Sequence, residues 1–98
     1  MTISLAIDTA TSCTIVGVIE DDKVLFESFH EGATEHGFAI TELVIKALEV
    51  SPKPDQVVVG MGPGPFTGLR VGITFAHTLA LAREIPVIGV CSLDAIVV

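Results

Sequence analysis

The chain has 98 residues, half of them hydrophobic and 17% charged, with a formal net charge of −7. That length makes one small domain, and its five cations, Lys23, Lys46, Lys53, Arg70 and Arg83, are too few and too scattered for direct nucleic-acid binding or docking on an anionic membrane. So much apolar surface is hard to hide in a small domain, which predicts a face covered by another chain or lobe.

The chain opens with two apolar, β-branched runs, "TISLAID" and "CTIVGVIE", separated by the turn-prone "TATS". "DDKVLFESFH" follows, with Asp21-Asp22 as a turn and alternating apolar positions. Three strands joined by short loops read as an antiparallel meander, and the near-continuous apolarity of the first two predicts burial on both faces. In "GATEHGFAITELVIKALEVS" the period changes: Ile40, Leu43, Val44, Ala47 and Leu48 follow helical spacing. Thr34 or Glu35 opens this helix and Pro52 and Pro54 close it, while Phe38 and Ile45 fall outside its main apolar stripe. "DQVVVGMG" is a short buried strand. A second helix is predicted from about Thr67 to Arg83. "PVIGVC" is a further strand, and Ser92 reads as the N-cap of a third helix. The order β-β-β-α-β-α-β, with helical crossovers between the later strands, predicts an α/β domain with parallel pairing in its second half.

Cys13 and Cys91 each sit in an apolar run without ligand-like neighbours and read as reduced, buried thiols. The first ten residues lack a basic region and Asp8 interrupts their apolar stretch, so no signal peptide is expected. The longest nearly apolar segment, Val71 to Ala82, is too short to span a bilayer. A soluble, cytoplasmic protein is the expectation.

The segment "GMGPGPFTGLRVG", Gly60 to Gly72, invites a phosphate-cradle reading and fails its tests. No Lys-Ser/Thr pair follows the last glycine, and the glycine spacing misses the dinucleotide pattern by one residue. Pro63 and Pro65 remove two amide donors. What remains is a rigid turn that launches a helix, with the amides of Thr67 and Gly68 at its N-terminus as a weak anion site. Asp8 and Thr9, at the end of the first strand, suit either a nucleotide contact or a structural Asx turn. His30, His36 and His77 do not share the spacing that sets two imidazoles on one helix face, and Ser12 and Thr67 have no histidine base nearby. Neither a metal, a cofactor nor a catalytic set is expected. Along the second helix Gly68, Gly72, Ala76 and Ala80 recur every four residues. This smooth stripe suits close packing, either on the chain's own sheet or against a partner's helices.

"LAIDTAT", "TEHG", "GMGPGPFTGLRVGITFAHTLALA" and "PVIGVCSL" together resemble the TsaB family, also called YeaZ. The resemblance runs along essentially the whole chain and covers the family's N-terminal lobe, so residues 1–98 are expected to be one lobe without the second. It implies a ribonuclease-H-like fold of the actin-like ATPase superfamily, with a mixed five-stranded sheet and helices packed on it. It further implies a non-catalytic partner of TsaD, which transfers threonylcarbamoyl to adenosine 37 of tRNAs reading codons that begin with A. TsaE joins that assembly, and the family forms homodimers when alone. TsaD-like proteins carry a His-x-x-x-His metal motif that this sequence lacks. The implied partner surface lies on the two helices. By helical spacing it takes Glu35, His36, Ala39, Leu43 and Ala47 from the first, and Thr67, Gly68, Arg70, Gly72, Thr74, Ala76, His77 and Leu81 from the second. The superfamily fold keeps an alternative open, an ATP-binding lobe that uses Asp8 and the turn after it.

Overall fold

β-Branched, turn-bounded runs become strands and the runs of helical period become helices. The structure, a computed structural model, describes residues 2–9, 13–31, 36–61 and 66–90. Its elements are β1 (Ile3–Asp8), β2 (Cys13–Glu20), β3 (Lys23–Glu31), α1 (His36–Val50), β4 (Gln56–Gly60), α2 (Phe66–Arg83) and β5 (Val87–Val90). Each matches a predicted element. The third helix expected from Ser92 lies outside the described residues.

The strands form one five-stranded sheet in the order β3-β2-β1-β4-β5. β2 runs antiparallel to both β1 and β3, as short connections demand. β1 pairs parallel with β4, and β4 with β5; α1 carries the chain back from β3 to β4, and α2 from β4 to β5. The turn between β2 and β3 places Asp21 in the left-handed region, at φ 54°, which aspartate tolerates better than most residues. Asp21 also fastens the start of β1: its amide donates to the Thr2 carbonyl at 2.9 Å, and its Oδ1 accepts from the Thr2 amide at 3.0 Å. From the other side Asp55 does the same to Ile3, with its amide donating at 2.7 Å and its Oδ2 accepting at 2.8 Å. Two aspartates on opposite flanks thus fix the register of the central strand.

Strand periodicity sorts side chains to two faces. Leu5 and Ile7, Val16 and Val18, and Val57 and Val59 point to one face and form the main core with both helices. α1 contributes Ile40, Leu43, Val44 and Ala47, and α2 contributes Ala76 and Ala80. The opposite face carries a smaller cluster of Ala6 and Ile19 with Ile15 against them.

This placement corrects the expected partner surface. Ala39, Leu43 and Ala47 on α1 and Gly72 and Ala76 on α2 are buried in the chain's own core, so they present no surface to a partner. The reason is steric. Small residues let α2 lie close over the ends of the parallel strands, where a Cβ on Gly72 would land on Oγ1 of the buried Thr9, with Thr9 Cβ and Cγ2 3.3 Å away. The stripe is smooth so that the helix can seat on its own sheet.

α2 ends in a Schellman motif. Ile85 donates to the Ala80 carbonyl at 3.0 Å and Glu84 to the Leu81 carbonyl at 3.2 Å. Glu84 takes the left-handed position, φ 56°, where glycine is usual. Ile85 packs on the core beyond it, and Arg83 donates from Nη1 to the Pro52 carbonyl at 2.7 Å, tying the end of α2 to the loop after α1.

Candidate functional site

Two places merit attention: the carboxyl edge of the central strands, and the side of the helices turned away from the sheet.

At the strand edge, Asp8 ends β1 beside Gly60, which ends β4. A Cβ on Gly60 would lie 2.6 Å from Asp8 Cγ and 2.7 and 2.9 Å from its carboxyl oxygens. The carboxyl group therefore rests directly on the β4 backbone, and only 7% of the residue is exposed. Strand alternation turns Asp8 to the face opposite the helices, whereas Thr9 is buried under Gly72 of α2 on the helical side. The carboxyl ends of parallel strands are where open α/β sheets take ligands. Here the two polar residues that sequence reasoning grouped together point to opposite faces, and both are packed against backbone or helix. Their geometry suits holding β1, β4 and α2 together. Thr67 and Gly68, the other two members of that group, lie in the first turn of α2, and their side-chain surroundings fall outside what the structure describes. Among the described residues no group of three or more His, Cys, Asp or Glu side chains is arranged to hold a metal ion. No helix among them is long and apolar enough to cross a membrane.

On the helical side, Arg70, Thr74, His77 and Leu81 are all exposed. Their spacing of four, three and four sets them in one row along α2. This row lies opposite the buried Gly72, Ala76 and Ala80. Leu81 is 81% exposed, a large apolar side chain left in water. His77 is tied to its own helix, with Nδ1–H donating to the Ile73 carbonyl at 2.9 Å, which fixes the tautomer and the ring. Thr78 donates to the Thr74 carbonyl at 2.9 Å. Beside the row, Arg70, Val71, Thr74, Phe75 and Thr78 line an open groove of about 460 Å³.

α1 lies next to α2 on the same sheet face and touches it. Its outer side exposes Phe38 (68%) and Ile45 (56%), seven residues apart and so on one line. These two were not among the expected site residues, although their position outside the core stripe was the signal that could have found them. Glu35 lies outside the described residues, as does the side chain of His36. Of the expected partner surface, the structure thus brings Arg70, Thr74, His77 and Leu81 together on one exposed face and puts Ala39, Leu43, Ala47, Gly72 and Ala76 beneath it.

The family model described as "TsaD: tRNA N6-adenosine threonylcarbamoyltransferase" matches residues 30–98 of this chain. An uncharacterized protein of Mycobacterium tuberculosis is 47% identical over 98 residues, covering 94% of this chain and 46% of the relative. The tRNA threonylcarbamoyladenosine biosynthesis protein TsaB of Escherichia coli is 40% identical over 93 residues, covering 91% of this chain and 40% of that protein. Among solved structures, YeaZ from Pseudomonas aeruginosa superposes with a TM-score of 0.84 at 29% identity, over 95% of this chain and 45% of YeaZ. Thermus thermophilus RuvC, at 17% identity and a TM-score of 0.66 over 92% of this chain and 64% of its own, shares the ribonuclease-H-like fold alone. The chain spans less than half the length of these curated relatives.

Proposed function

Since this chain belongs to the TsaB/YeaZ family, we propose that it acts in threonylcarbamoyladenosine formation on tRNA as a non-catalytic subunit that binds and activates a TsaD-type transferase. The substrate of that transferase is adenosine 37 of tRNAs reading codons that begin with A. The contact runs through the outward side of α1 and α2, with Phe38 and Ile45 on one helix and Arg70, Thr74, His77 and Leu81 on the other. The same surface joins two copies when the transferase is absent, and TsaE completes the assembly. The tRNA is held by the partners, in keeping with the net charge of −7, and the work takes place in the cytoplasm. Residues 1–98 supply the first lobe of a longer family architecture.

The observation that carries this reading is that the outward sides of the two helices leave three large apolar side chains exposed, Phe38 and Ile45 on α1 and Leu81 on α2. Exposed apolar surface is a feature of interaction sites, and aromatic side chains such as Phe38 are enriched at the cores of protein interfaces.

The test is a pull-down and calorimetric titration of the chain with a TsaD-type transferase, repeated with Leu81→Glu. The charge replaces an anchor at an exposed position, so the melting temperature should stay within the ~0.5 kcal/mol range of surface substitutions. Affinity should fall at least ~30-fold, the effect of losing an anchor worth about 2 kcal/mol. Undiminished binding by a folded Leu81→Glu chain would remove this surface from the proposal. The alternative, an ATP-binding lobe built on Asp8, is tested separately by titration with Mg-ATP. Tight binding that disappears in Asp8→Asn would favour it over a purely structural subunit.

A further inference from the structure

We draw no further inference here: the strongest candidate, the sheet face opposite the helices where Ala6, Ile15, Ile19 and Val58 lie beside the exposed Phe29 and Val24 of β3, is an apolar face for which nothing in the structure shows what covers it.

Discussion

Replacing Gly72 with alanine sets two effects of opposite sign against each other, and the structure says which one wins. In an exposed helix interior, Gly→Ala stabilises by about 1 kcal/mol, because alanine loses less backbone freedom on folding. At position 72 the new methyl would fall on Thr9 Oγ1, with Thr9 Cβ and Cγ2 at 3.3 Å. One χ1 rotamer of Thr9 would turn its Cβ hydrogen towards position 72, but Cβ itself would stay 3.3 Å away, and at 1% exposure Thr9 has little room for its displaced hydroxyl and methyl. Overpacking of this kind costs about 1–3 kcal/mol. The net expectation is a loss of up to roughly 2 kcal/mol, which for a domain of this size lowers the melting temperature by up to about 16 °C. Thermal melts followed by circular dichroism read this directly. The double variant Thr9→Ala/Gly72→Ala separates the causes: with Oγ1 and Cγ2 gone the clash is relieved, and the pair should be more stable than the sum of the singles by at least ~1 kcal/mol. A Gly72→Ala variant that melts higher than the parent would refute the close approach of α2 to the end of β1. With it would go the account of why the small residues of this helix face the sheet.

Ala76→Glu puts a carboxylate where the parent residue has no exposed surface. An unpaired buried charge costs several kcal/mol against a total stability of about 5–15 kcal/mol, so the chain should lose its cooperative melt; a well-folded Ala76→Glu domain would return this stripe to the surface. Glu84→Gly should stabilise: the left-handed conformation costs a residue with a Cβ about 1–2 kcal/mol, and a carboxylate at a helix C-terminus opposes the dipole. Allowing for the larger unfolded-state freedom of glycine, a gain of about 0.5–1 kcal/mol is expected in urea titration, and no gain would mean that Glu84 makes a compensating contact.

Much of this fold was legible because its periods are clean. "CTIVGVIE" and "DQVVVGMG" read as buried strands, and the switch to helical spacing, opened at Thr34 or Glu35, placed α1 within a residue or two of its observed start. The orientation of α2 was not legible. A helix with glycine and alanine on one side and bulk on its flanks fits a close partner helix and a close sheet equally well. What decides is Thr9, a residue far away in sequence, sitting under Gly72. Nor could the sequence separate Asp8 from Thr9. Adjacent residues at a strand end point to opposite faces, and no motif states which face a ligand would use. Phe38 and Ile45 stood outside the stripe in the sequence, yet exposure of a large side chain becomes evidence only once the rest of the helix has been seated. The end of α2 at Arg83 was legible, but its left-handed Glu84 was invisible, since glutamate gives no hint of that conformation.

The two aspartates that fasten the start of β1 also bear on the order in which the molecule comes together. Asp21 arrives with the meander, through a local hairpin that closes quickly. Asp55 and the parallel partner strand come later: Ser4 and Gln56, like Ile3 and Asp55, are 52 positions apart. With the meander formed, the flexible stretch still to be closed runs from the end of β3 at Glu31 to Gln56, at ~3 kcal/mol from the logarithmic length dependence alone. Nothing repays it until α1 lays its apolar side across the sheet. During synthesis β4 cannot pair with the first strand until the chain has been made through at least Gly60, so until then that edge of β1 has no partner within the chain. The central strand of the finished sheet spends its early life as an edge, and that interval is when a chaperone or a neighbouring nascent chain has access to it.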